Sequence, residues 1–390
     1  MKIRLAPLLV SVIVAAAAFA TKTGPTYNFD NVFYLGIAEE YRGYSLAEAH
    51  DSVYAQIKAA LPQADYAKIL SDGTPDDLVR IPSYESAESY GQQLPFYSIK
   101  PVYPLLIAAF RHFGVNGVTA SFCISAISLG LLAALCCSWL SRYYAPWTAA
   151  AITVLLAFSS GVFNLGVDPR PDALYAAVVL GILALSARLP RLSPLVTGLM
   201  LLSILVRPDA IIFCVMMCFA WMVVNPRDYF RPLVTLGLSV VLYFADTKMH
   251  QSYSWGLLMY HAYINYLPYP RTHPASVNLS DLVRIYVKFG QPTYSQAFIT
   301  MLLAAVSALV ANLATSPVRS QLVAFSAALV ATLPLHFLVH PSDNLRVRSA
   351  YYIASLILLL IAVARAANKV MDHGDPIARR WLLASPVASE

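Results

Sequence analysis

The sequence predicts an all-α, polytopic membrane protein: about ten transmembrane helices in a single integral membrane domain over residues 1–390, with a large first extracytoplasmic loop containing juxtamembrane helices. Three observations lead there. Of the 390 residues, 58% are hydrophobic and only 12% charged, with a mean hydropathy of +0.60. A soluble domain carries about 25% charged residues, so this chain has too little polar surface to wet a core of its size. That excludes a soluble enzyme, a disordered chain and a disulfide scaffold. Second, apolar runs approaching the ~20 residues that cross a bilayer recur along the chain. Third, the basic residues fall on alternate connections, as the positive-inside rule expects.

In chain order, the first span is expected at 4–20, where Lys2 and Arg4 precede an apolar run from Leu5 that ends in Ala18-Phe19-Ala20, a pattern shared by a retained first span and a cleaved secretory signal. Retention is the expectation, because it leaves an even number of spans and both termini on one side. Further spans are expected at 118–140, 147–165, 172–188, 192–206, 208–225, 232–247, 295–315, 320–339 and 349–367. With the N-terminus in the cytoplasm, the inward turns collect twelve basic residues (Lys2, Arg4, Arg142, Arg188, Arg191, Arg227, Arg231, Arg319, Arg365, Lys369, Arg379 and Arg380). Only four acidic residues (Asp228, Asp372, Asp375 and Glu390) join them, and the outward remainder is acidic on balance. Both termini are therefore expected in the cytoplasm, and the short arginine-bearing turns fit a bacterial inner membrane. The formal charge of +6 includes no long Lys/Arg run, which sets nucleic acid aside as a partner. Five cysteines (Cys123, Cys136, Cys137, Cys214 and Cys218) lie inside apolar runs without a CxxC pair and read as small core residues.

Two segments are too polar to span, and both fall on the outer side: a first loop at 21–117 and a second at 248–294. The first holds acidic helical pieces at 45–61 and 63–70 and a turn at Asp72-Gly73-Thr74-Pro75. It also holds an apolar run at 103–113, bounded by Lys100-Pro101 and Gly114. At half the length of a span, that run reads as an interfacial or re-entrant helix. The second loop carries Tyr253, Trp255, Tyr260, Tyr263, Tyr266 and Tyr269 with His250, His261 and His273. Such aromatics read first as an interfacial belt and second as rings that stack on a sugar. The histidines lack the spacing of a metal site.

Three constellations carry possible chemistry. Asp30 lies ten residues beyond the first run, between Phe29 and Phe33-Tyr34. A carboxylate among rings above a membrane suits proton abstraction; as a preferred cap it equally starts a helix near Val32. The tripeptide Arg170-Pro171-Asp172 recurs 37 residues later as Arg207-Pro208-Asp209, with Asp168 just before the first copy. Pro and Asp are helix-start residues, but that role leaves the arginines unexplained at a membrane boundary. The segment His340-Pro341-Ser342-Asp343-Asn344-Leu345-Arg346-Val347-Arg348 places two guanidiniums on an outer turn, a geometry suited to phosphate. GxGxxG, Walker, GxSxG and HExxH motifs are absent.

Together these features resemble the GT-C superfamily of membrane glycosyltransferases that use polyprenyl-phosphate-linked sugars, in particular the aminoarabinose transferase and protein mannosyltransferase type. The resemblance rests on Asp30 after the first span, on Lys100-Pro101-Val102-Tyr103-Pro104-Leu105-Leu106 running to Phe113-Gly114, on Asp168 and Asp172 at the start of a span, and on Arg207-Pro208 at the end of another. Val102 stands where the family's second proline would be, and Asn31 where its second acidic residue would be. The resemblance implies a GT-C-like fold and inverting transfer of a sugar to an acceptor hydroxyl on a cell-envelope glycan, lipid or protein at the extracytoplasmic face. Asp30 would be the base, with Asp168 and Asp172 catalytic or acceptor-orienting. Lys100, Arg207, Arg346 and Arg348 would bind the donor phosphate, and Tyr34, Trp255 and Tyr260 would stack on the sugar. The partners implied are the lipid-linked donor, the acceptor and membrane lipids; no cofactor is firmly implied, and a divalent metal stays open without residues that support it. The alternative is a transporter or lipid flippase, against which stand charges gathered at the outer boundary and a local, not half-and-half, repeat.

Overall fold

A computed structural model describes residues 5–21, 28–159, 161–273, 277–341 and 345–373. Lys2, Arg4, Arg379 and Arg380 lie outside it, as does the side chain of Arg346. The described residues are helical with no strand. Helix α1 (Leu5–Ala20) is followed by a cluster of shorter helices: α2 (Asp30–Tyr41), α3 (Leu46–Ala60), α4 (Gln63–Leu70), α5 (Asp77–Glu85), α6 (Ala87–Gln93), α7 (Pro95–Ser98) and α8 (Val102–His112). Seven apolar helices come next: α9 (Gly117–Leu140), α10 (Pro146–Ala157), α11 (Val162–Val167), α12 (Asp172–Ser186), α13 (Pro194–Val206), α14 (Ala210–Val224) and α15 (Phe230–Met249). Then α16 (Trp255–Tyr263) and α17 (Leu279–Gly290) lead into α18 (Pro292–Thr315), α19 (Gln321–Val339) and α20 (Leu345–His373).

Five of these, α9, α15, α18, α19 and α20, are long and apolar enough to cross a membrane. Helices α1, α10, α12, α13 and α14 occupy other expected spans but run only 12 to 16 residues. At 1.5 Å per residue they fall short of a ~30 Å hydrocarbon layer. Local chemistry sets these ends. The span expected at 147–165 is broken into α10 and α11, because Gly161 takes φ +90°, a left-handed conformation that stops a helix. Helix α13 stops at Arg207, which precedes Pro208 and is forced into extended backbone (φ −151°, ψ 118°).

The polar cluster is held by specific caps. Ser45 and Glu48 form a reciprocal capping box at the start of α3, the Ser45 N–H donating to Glu48 Oε2 at 2.8 Å. At the 72–75 turn the Asp72 and Gly73 N–H groups both donate to the Asp77 carboxylate at 3.0 Å. Asp30 is the first residue of α2 and not its cap; the cap position is Phe29, with no side-chain cap bond.

Helix α2 is buried without interruption from Asn31 to Glu39, so it serves as the spine of this cluster. The Asn31 amide donates to Ser121 Oγ of α9 at 2.8 Å. Gly36 admits Tyr90, whose hydroxyl donates to the Val32 carbonyl at 3.0 Å; a Cβ at 36 would overlap that hydroxyl. At the far end Glu39, 1% exposed, accepts from Arg111 Nε at 2.9 Å, from Gln56 Nε2 at 2.8 Å and from Arg42. Gln56 in turn accepts from the Gly117 N–H at 3.0 Å, so one carboxylate ties α2 to α3, α8 and the start of α9. Replacing Glu39 by Ala leaves Arg111 without its buried counter-charge and is expected to cost about 3–5 kcal/mol. Thermal unfolding of the detergent-solubilised protein checks this, with the exposed neighbour Glu40→Ala expected within about 0.5 kcal/mol of wild type.

Candidate functional site

Helix ends converge on one cavity of about 400 Å³. Helix α2 brings Asp30 and Tyr34; α7 brings Tyr97, and Lys100 follows it. The connection into α12 supplies Arg170 and Asp172, the end of α13 supplies Arg207, and α16 with the residues after it supplies the remaining wall, joined by His340. Five residues expected from the sequence to act, Asp30, Tyr34, Lys100, Asp172 and Arg207, therefore meet in one place although Asp30 and Arg207 are 177 residues apart in the chain.

Salt bridges explain the arginines of the repeated tripeptide. Arg207 donates Nε and Nη2 to the two oxygens of its own Asp209 (3.1 and 2.8 Å) and Nη1 to Asp172 of the first copy. Asp209 is also bonded by His336 of α19. Arg170 lies 2.8 Å from Asp168 and 3.7 Å from Asp30. Each arginine is thus set between two carboxylates, the arrangement a guanidinium needs when taken out of water.

Asp30 is held on both sides. Its Oδ1 accepts from the Tyr97 hydroxyl at 3.0 Å, and its Oδ2 faces Arg170. The side chain remains 32% exposed, open to the cavity. Burial pushes the Tyr97 hydroxyl well above its ordinary range, with the Asp30 charge adding to it, so it stays protonated and donating. Asp168 is more enclosed: burial raises its carboxyl to about 7, opposed by Arg170. Lys100 differs from the arginines. Its ammonium donates to the Tyr34 hydroxyl at 3.1 Å and lies over the Tyr34 and Tyr97 rings at 5.6 and 5.5 Å. Among the described residues no carboxylate is within ion-pair distance of it. Burial pushes this ammonium below the ordinary lysine range, and Arg207 pushes it further.

No known family, curated protein sequence or solved structure matches this chain. The site is therefore read from its own geometry.

Other expected site residues lie elsewhere. Trp255 donates Nε1–H to the Val339 carbonyl at 3.0 Å, and Tyr260 packs near His273 with ring centres 5.4 Å apart. Neither lines the cavity. Arg348 is fully buried, donates to the His340 carbonyl at 2.6 Å and lies over the Phe298 and Phe337 rings. It supports the His340 wall without lining the cavity. The side chain of Arg346 lies outside the described residues. No metal-binding group of His, Cys, Asp or Glu occurs among the described residues. Sequence reasoning missed Tyr97 as a cavity residue, and within the second-loop aromatic stretch it singled out Trp255 and Tyr260 where the cavity takes His261, Tyr263 and Tyr266. For Tyr97 a signal existed, since it precedes Lys100 by three positions in an aromatic stretch.

Asp168 gives a pH test. Its folded value near 7 exceeds the ordinary 3.8, so between those values the folded protein holds a proton that the unfolded chain has released. The ionised carboxyl is thus a penalty that is full above pH 7 and relieved as pH falls. Wild type is therefore expected to lose stability through this group between pH 5 and pH 8, whereas Asp168→Asn, destabilised by its lost pairing to Arg170, should not share that slope, so the cost of the substitution is smaller at pH 8 than at pH 5. Parallel unfolding curves at the two pH values check it; a loss of stability that is equal at both would contradict it.

Proposed function

We propose that this chain is an inverting membrane glycosyltransferase of the GT-C kind. It moves a sugar from a polyprenyl-phosphate-linked donor to an acceptor hydroxyl at the extracytoplasmic face. The observation that carries this reading is the pairing, in one cavity among apolar helices, of an ammonium with no carboxylate at ion-pair distance among the described residues (Lys100) and an accessible carboxylate (Asp30). An anion such as a phosphate completes the lysine, and a hydroxyl group brought to Asp30 finds a proton acceptor.

In this mechanism the donor phosphate sits on Lys100, with Arg207 beside it. The acceptor oxygen attacks the anomeric carbon from the face opposite the phosphate, and its proton passes to Asp30. The bond between the anomeric carbon and the phosphate oxygen breaks, and polyprenyl phosphate leaves with the bonding electrons. Negative charge grows on that oxygen, where fixed cations stabilise it without reorganising. Tyr97 and Arg170 keep Asp30 aimed, and the carboxylates Asp168 and Asp172 hold the arginines in place. The lipid tail confines the donor to the membrane and lowers the entropy of encounter.

Asp30→Asn is expected to reduce transfer by about 10²–10⁴-fold while the protein still inserts and unfolds cooperatively on heating. Transfer at the wild-type level would remove Asp30 from the role of base, and substrate flux into empty liposomes without chemical change would replace the enzyme by a transporter. Lys100 supplies a pH dependence of known sign. Its charged form binds the donor, so affinity is present below its lowered folded value and lost as pH rises through it. Donor titrations between pH 7 and 10 should show this loss in wild type, a flat profile in Lys100→Arg, and weak binding throughout in Lys100→Ala.

A further inference from the structure

The cavity lining divides by element. All of its formal charge comes from Asp30, Lys100, Arg170, Asp172 and Arg207. The wall supplied by α16 and the residues after it is Leu258, His261, Ala262, Tyr263 and Tyr266, none permanently charged. Within that wall His261 is fixed more firmly than a surface ring. It stacks on Phe96 with ring centres 4.6 Å apart and planes 18° apart. The Leu267 backbone N–H donates to its Nδ1 at 3.1 Å, and the segment carrying Leu267 is anchored to α6, Gln93 donating to the Leu267 carbonyl at 2.8 Å and Ser89 to the Pro268 carbonyl at 2.9 Å.

A ring nitrogen that accepts from a backbone N–H bears no proton of its own, so the neutral imidazole carries its hydrogen on Nε2. Burial pushes His261 down to about 4, which keeps it neutral at physiological pH. The wall therefore presents aromatic faces, one hydrogen-bond donor of assigned tautomer, and the Tyr263 hydroxyl, which is already bonded to His340 Nδ1 at 2.9 Å. Apolar faces with a few oriented neutral donors are what a pyranose ring needs for its C–H face and its hydroxyls. A sugar carboxylate or ammonium placed against these faces would lose hydration, and the carboxylate beside them, Asp76, is already engaged by the Tyr266 hydroxyl and by Arg80.

We infer that the α16 wall seats the sugar of the donor, that this sugar is uncharged, and that His261 donates from Nε2 to one of its hydroxyls. The inference rests on the donor reading given above and goes further, naming which wall selects the sugar and which class it selects.

Binding to the full-length protein in nanodiscs tests it, with four probes: a short prenyl phosphate alone, and the same lipid carrying glucose, glucuronic acid or glucosamine. Wild type is expected to bind the glucose form more tightly than the bare phosphate and more tightly than either charged sugar. His261→Phe retains a ring on Phe96 but lacks the donor, and should lose about tenfold in affinity for the glucose form, one neutral hydrogen bond, with the bare phosphate unchanged. His261→Gln, which keeps a neutral donor near Nε2, should recover most of that loss. Equal loss of both probes in both variants, a wild type that gains nothing from glucose, or a preference for a charged sugar each overturns the sugar seat and leaves the donor reading standing. A wild type that binds none of the four probes overturns the donor reading as well.

Discussion

Arg207 is a permanent cation buried where α13 ends, and a guanidinium taken out of water is tolerated only when its charge is met by fixed partners. Those partners are Asp209, two residues on, and Asp172, from the other copy of the same tripeptide. Much of the architecture follows from this constraint. Pro208 ends α13 at Arg207 and turns its backbone outward from the helix, which lets the side chain reach two carboxylates at once. Asp172 must then begin α12 at the same level, and His336 of α19 closes on Asp209 from behind. Helices α12 to α14 each have one end at this charge cluster, and the cavity lies against it.

The charges of that cavity are unequal in what they leave available. Arg170 and Arg207 are each committed to two carboxylates, whereas Lys100 is surrounded by tyrosine rings and a hydroxyl. Asp30 shares Arg170 with Asp168 and keeps one face open. In the proposed reaction this inequality assigns the roles: the committed arginines set the shape and the field, the lysine takes the anion, and the open carboxylate takes the proton. The uncharged α16 wall then has the separate task of recognising what is attached to the anion.

Local features of the chain were readable because they depend on neighbours in sequence. Hydropathy located the apolar helices, the 45–61 and 63–70 pieces appeared as α3 and α4, and Lys100-Pro101 and Gly114 do bound α8. Pro171 and Pro208 do mark helix starts. What the sequence could not carry was pairing at a distance. The partner of Arg207 across the repeat lies 35 residues away, and no local pattern states that Asp172 and not Asp168 will fill that place. Nor did hydropathy reveal the break at Gly161, which one positive-φ residue makes inside a continuous apolar run. On α16 the aromatic count favoured Trp255 and Tyr260, yet the face turned to the cavity is Leu258, His261 and Ala262 at i, i+3 and i+4. That choice is made by docking of the following segment onto α6, a contact separated by more than 170 residues.

In the proposed reaction a lipid-linked phosphate is received by Lys100 inside this cavity. An experimental structure of the protein in a lipid nanodisc with a prenyl-phosphate-linked sugar tests it most directly. Phosphate density is expected within hydrogen-bonding reach of Lys100 Nζ, with the anomeric carbon turned toward Asp30. Phosphate bound outside the cavity, or a lipid tail and not a headgroup filling the space beside Lys100, would contradict it.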